Sequence, residues 1–168
     1  MASRLFSFPN PVNEVSARLV AGGVVIMSVA TIALDQPWLI LVIAYGFVAR
    51  VLTGPTLSPL GQFVTRVVTP RLKRPAKPVS GPPKRFAQGI GVLFSVSAAV
   101  VALGFGLHLA GYLVLGALIV AATLESVFGL CLGCKIFGLL MRWGAIPEAI
   151  CEECSDIWSR PRAVTGRT

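Results

Sequence analysis

A chain of 168 residues is one domain's worth of sequence, yet 55% of it is hydrophobic and only 13% is charged. A water-soluble fold of this size has too little interior to hide so much apolar surface, so the bilayer is the expected solvent. The net charge of +8 comes without the aromatic–basic platform that single strands need, so no nucleic-acid partner is expected.

In chain order, "NPVNEVSARL" (10–19) reads as a helix start. Asn10 is placed to cap, Pro11 suits the first helical position, and Glu14 lies one turn before Arg18, at ion-pair spacing. Glu14 and Arg18 are also candidates for a polar cluster at the mouth of a bundle. Two apolar runs, about 15–34 and 37–52, flank Asp35-Gln36-Pro37 and form a helical hairpin. Arg50 ends the second run, where its side chain can snorkel to headgroups. The first run starts late, lacks a small-x-small cleavage site and leads straight into the second, which argues against a signal peptide.

The loop 53–86 is basic. Within it, "SPLGQFVTRVV" (58–68) puts Leu60, Phe63, Val64 and Val67 on one face behind a capping Ser58 and an opening Pro59. An amphipathic helix lying at the membrane interface is expected. "TPRLKRPAKPVSGPPKR" (69–85) then reads as an extended strap near anionic lipid headgroups. From Arg85 to Glu125 there is no charged residue in between, enough chain for two spans of about 20 residues. "GFGLHLAG" (104–111) divides them, giving spans of about 87–105 and 110–130, with His108 as an interfacial side chain at the tip. Gly89, Gly91, Ser95, Ser97, Ala98 and Ala99 predict close helix packing.

The expected architecture is an all-α integral membrane protein, a bundle of four transmembrane helices in two hairpins (residues 1–144). A C-terminal cytoplasmic helix (145–158) and a disordered tail (159–168) follow. With both termini and the 53–86 loop on one side, all fifteen Lys and Arg residues lie there, and the positive-inside rule makes that side the cytoplasm. A multi-pass membrane protein with both termini in the cytoplasm is implied, and its cysteines face a reducing compartment.

Cys131, Cys134, Cys151 and Cys154 form two C-x-x-C pairs with sixteen residues between them. That spacing fits a four-cysteine zinc site, with Zn as a candidate cofactor. A thiol pair with a second, relay pair is the other main reading, and cysteines that merely fill space are a minor one given two C-x-x-C pairs. Read as one helix, the stretch through Cys131, Cys134 and Lys135 continues to Gly144, and the first pair sits at a helix C-terminal end. There the dipole disfavours a thiolate, and only Lys135 favours one. A turn at 144–146 would fold the segment opened by Pro147 back toward the first pair. Glu125 lies about two turns inside the last span, where a charge costs up to about 2.5–3.5 kcal/mol. Arg18, Arg50 and Arg85 are its candidate partners, in either a packing ion pair or a proton relay. On a continuous helix it lies about 120° from Cys131 and opposite Cys134.

"NEVSAR", "LTGPTLSPL", "PPKRFAQGIG" and "ESVFGLCLGCKIF" together resemble a bacterial family catalogued as domain of unknown function 4395. The likeness covers about residues 10–142. It implies a small integral membrane protein with functional weight on Glu125, Cys131 and Cys134, and on Arg18, Arg85 and Gln88. It also implies a thioredoxin-like or rhodanese-like soluble partner. The resulting expectation is thiol redox or sulfur transfer at the cytoplasmic face. The alternative is a non-catalytic scaffold or accessory subunit stapled by zinc.

Overall fold

The structure, a computed structural model, describes residues 10–72, 75 and 77–145. Cys151, Cys154, all but the first residue of the expected helix 145–158, and the tail 159–168 lie outside the described residues. Helix α1 is Glu14–Ala33 and α2 is Leu39–Thr53. Helix α3, Pro59–Phe63, runs on through a wide π-turn, Val64–Val68, and a last turn, Thr69–Arg71. Helix α4, Gly81–Ala99, continues as a second π-turn, Val100–Gly104, before α5, His108–Phe128, and α6, Leu132–Arg142. A small antiparallel ribbon pairs β1, Val12–Asn13, with β2, Pro78–Val79.

Glu14–Ala33, Gly81–Gly104 and His108–Phe128 are long and apolar enough to cross a membrane, while Leu39–Thr53 is apolar but shorter. Their outer faces are apolar as well: Ile26, Leu93, Leu113 and Val120 are each at least 60% exposed. Water would not tolerate that surface on an isolated chain.

The interior is narrow and closely packed. Phe47, Ile40 and Ile43 from α2 meet Ala98, Ala99 and Ala102 from α4, and Leu115, Leu118 and Ala122 from α5 close the other side. Of the expected small-residue stripe, Gly91, Ser95, Ala98 and Ala99 are buried, whereas a Cβ on Gly89 would meet nothing within 4 Å. A Cβ on Gly91 would sit 2.2 Å from the Phe47 ring, and one on Gly111 would sit 2.6 Å from the Ala102 Cβ. At the far tips, Tyr112 donates to Asp35 at 2.7 Å and ties α5 to the α1–α2 turn.

Three local expectations change. Asn13, not Asn10, caps α1, its Oδ1 accepting the Val15 N–H at 3.1 Å. The ribbon keeps residues 12–13 extended, so Pro11 cannot open the helix, and Asn10 instead accepts the Gly81 N–H at 3.0 Å. Glu14 pairs with Lys77 at 2.7 Å rather than with Arg18. The strap is extended only in part, because it is helical through Arg71, pairs as β2, and turns helical again at Gly81 rather than at residue 87. Pro82 and Pro83 suit that early start, since first-turn N–H groups have no helical partner to lose.

Helix α3 starts at Pro59 behind Ser58, whose Oγ accepts the Gly61 N–H at 3.2 Å, but it is α-helical only to Phe63. Val64 is buried and the Leu60 methyls press on Gly23. Phe63 stays 57% exposed.

Candidate functional site

The cysteine pair does not end a span; it begins a helix. Helix α5 stops at Gly129, whose φ of +67° lies in the left-handed region that favours glycine. The Gly129 N–H closes on Glu125 O and the Leu130 N–H on Leu124 O, both at 3.1 Å. The chain then turns extended, and Cys131 becomes the N-cap of α6, its Sγ accepting the Cys134 N–H at 3.3 Å. A continuous helix to Gly144, with its unfavourable dipole at the thiols, is therefore overturned. The N-terminal end of α6 points its free N–H groups and positive dipole at Cys131, which favours the thiolate.

Two contacts hold α6 in place against α4. A Cβ on Gly133 would lie 2.5 Å from the Ala87 Cα, so only glycine permits the approach. One turn on, the Phe137 and Phe86 rings meet with centroids 5.6 Å apart.

The break also brings Glu125 to the thiols. Glu125 and Cys131 line one cavity of about 260 Å³, with Arg50 and Gln88 at its polar side and apolar residues of α1, α2, α4 and α5 elsewhere. None of the arginines expected to pair with Glu125 does so. Its partner is Lys84, whose Nζ lies 2.6 Å from Oε1, with side-chain exposures of 9% and 16%. Lys84 was missed because the span was expected to start at residue 87. The signal was nonetheless present. Stepping back from Ala102 by fours and threes gives Ala98, Ser95, Gly91, Gln88 and Lys84, one inward-facing stripe, buried at every position but the half-buried Gln88, that starts in the "PPKR" segment.

Lys84, Cys131 and Cys134 also line a broader groove of about 600 Å³, together with Glu14, Gly129 and Lys135. The hydrogen bond from Cys134 holds the Cys131 thiol below the ordinary range, assisted by the Lys84 ammonium and opposed by burial and by Glu125. The same bond, with burial, pushes Cys134 upward. The two thiols are thus unequal, and Cys134 is the one that holds its proton more strongly. Cys131 is 8% exposed and Cys134 half-buried.

The remaining candidates do not form one cluster. Arg18 crosses to α5 and donates to Ser126 O at 3.1 Å and Val127 O at 2.7 Å, which secures the last turn before the break. Arg50 does not snorkel. It is 5% exposed, donates to Gln88 Oε1 at 2.9 Å and Ser58 Oγ at 3.3 Å, and its Cζ lies 4.4 Å above the Phe47 ring. Arg85 is exposed and donates to Val51 O at 3.1 Å. His108, at the start of α5, occupies the opposite end of that helix from the thiols. Among the described residues no three His, Cys, Asp or Glu side chains are grouped to hold a metal. The zinc set needs Cys151 and Cys154, which lie outside them.

The geometry defines a class: an apolar helical bundle in which one dithiol caps a helix beside a buried Lys–Glu pair. Residues 12–142 match the family described as Domain of unknown function (DUF4395), and the chain belongs to that family. No curated protein and no solved structure matches it.

Proposed function

We propose that this is a four-span membrane protein that carries out thiol–disulfide exchange at the cytoplasmic face, with Cys131 as nucleophile and Cys134 as resolving thiol. The observation that carries the reading is the capping role of Cys131. A helix start, an adjacent ammonium and a second thiol are what a low-pKa cysteine requires. In this reading α2 is the fourth span. Its 15 residues reach about 22 Å, short of a hydrocarbon core of about 30 Å, and Arg50 stays inside the bundle near one end. Both termini face the cytoplasm, where basic residues of the central loop meet anionic headgroups and Phe63 of α3 dips into the interface.

The exchange balances without a cofactor. The Cys131 thiolate attacks a disulfide of a soluble thioredoxin-like partner; one S–S bond forms as the partner's breaks, and one partner sulfur leaves as thiolate. Cys134 then gives up its proton and attacks the Cys131 sulfur. A Cys131–Cys134 disulfide remains, and two electrons have passed to the partner's dithiol. A rhodanese-like donor would meet the same nucleophile with a persulfide. Cys151 and Cys154 would serve as a relay or docking pair.

The test is to offer the reduced full-length protein in mild detergent an oxidised thioredoxin. Mass spectrometry should find a Cys131–Cys134 disulfide, and a Cys134→Ser variant should accumulate a mixed disulfide at Cys131. Exchange that persists in a Cys131→Ser variant would end this reading.

A further inference from the structure

A second cavity, of about 80 Å³, is lined by Arg50, Lys84, Gln88, Ser16 and Thr65 together with apolar residues that include Ala17, Val20 and Pro55. Its charge is one-sided. Two cations that are 5% and 7% exposed face it, and no acidic residue is in its lining. Glu125 answers Lys84 from the other side at 2.6 Å, but among the described residues no carboxylate forms an ion pair with Arg50. Arg50, Lys84 and Glu125 therefore sum to one uncompensated positive charge inside the bundle, and proteins rarely leave a buried charge unanswered.

The hydrogen-bond inventory points the same way. The Arg50 guanidinium has five N–H donors, of which one from Nε meets Gln88 and one from Nη1 meets Ser58. Lys84 has three donors and uses one on Glu125. Gln88 accepts from Arg50 through Oε1, and its amide nitrogen carries two further N–H donors. All three residues line a space larger than a single water needs, which is on the order of 10–15 Å³. Two buried cations, a net positive charge and a volume of a few heavy atoms describe an anion site.

We propose that the cavity between Arg50 and Lys84 binds a small tetrahedral oxyanion of the sulfate, thiosulfate or phosphate class, either as the free inorganic ion or as a phospholipid headgroup phosphate. The ion completes the charge balance of the bundle where α1, α2, α3 and α4 meet. The site is independent of the thiol chemistry, because binding needs no turnover at Cys131. It shares Arg50 and Gln88 with the cavity that holds Cys131, so an occupant lies next to the dithiol.

The experiment is equilibrium binding of radiolabelled sulfate and phosphate to the full-length protein in mild detergent, at constant ionic strength with chloride as competitor. Native mass spectrometry of the same preparation reports retained phospholipid. Saturable oxyanion binding that chloride does not displace, and that falls at least tenfold in a folded Arg50→Gln variant, supports the site. Ala17→Val, which fills the cavity and leaves both cations in place, should cause a similar loss and serves if Arg50→Gln fails to fold. A retained anionic phospholipid that Ala17→Val releases would identify a headgroup as the occupant. No saturable oxyanion and no retained lipid in the unaltered protein would overturn the proposal. Equal binding in folded Arg50→Gln or Ala17→Val would overturn it as well.

Discussion

Helix α5 is bounded by two glycine breaks that are nearly the same in backbone terms and opposite in consequence. Gly106, before it, has φ +68°, and Gly129, after it, has φ +67°. At the first break nothing lies within 4 Å of where a Cβ would stand, the following Leu107 caps without a side-chain hydrogen bond, and the turn is exposed. At the second, Glu14 and Arg18 side chains lie 3.4 and 3.6 Å from the same position, and the residue that opens the next helix is a cysteine. A left-handed glycine only stops a helix. The residue that caps the next one decides whether the break is a tip or a site.

The predictions pull these two breaks apart. The largest effect belongs to the cap itself: Cys131→Ser should abolish exchange with an oxidised thioredoxin, whereas His108→Ala at the other break should leave the rate unchanged in the same assay. Next comes the ion pair behind the cap. Lys84→Met removes the cation that helps lower Cys131, so the pH midpoint of Cys131 alkylation should rise. Glu125→Gln removes an opposing charge, so the midpoint should fall. Two shifts of the same sign would contradict the electrostatic assignment. Lys84→Met also strands a carboxylate, at a stability cost toward the lower end of about 3–5 kcal/mol because the pair is not fully enclosed.

A smaller effect is expected at Gly133, where an added methyl would meet the Ala87 backbone at 2.5 Å. Gly133→Ala should cost about 1–3 kcal/mol in denaturant unfolding and slow exchange by shifting α6, while Gly116→Ala, with open space around it, should do neither. The smallest contrast is between the breaks themselves. Gly129→Ala and Gly106→Ala should each cost about 1–2 kcal/mol of backbone strain, but only the first should alter Cys131 reactivity.

Much of the fold was legible because hydropathy and charge are coarse signals that a bilayer enforces. The apolar runs, to within a few residues at most of their ends, the breaks near Asp35 and Gly106, and the Ser58-Pro59 helix start follow those signals. What was not legible turned on local backbone chemistry. Gly129 reads equally well as a packing glycine in a long helix or as a terminator, since Leu130 and Leu132 continue the apolar pattern without interruption. That ambiguity hid the N-cap and reversed the dipole argument for the thiols. Asn10 and Asn13 are equivalent as caps until the β1–β2 ribbon chooses between them. The ion pair at Glu125 was sought among arginines, because the span was started after Lys84 and the buried stripe was not followed back to it.

The most direct measurement is the pH dependence of alkylation at each cysteine, followed by mass spectrometry on the reduced full-length protein in mild detergent. With Cys131 capping α6, its rate should rise through a midpoint below that of an ordinary free thiol, with Cys134 reacting only at far higher pH. A Cys131 midpoint at or above the ordinary thiol value, or Cys134 reacting first, would contradict the account.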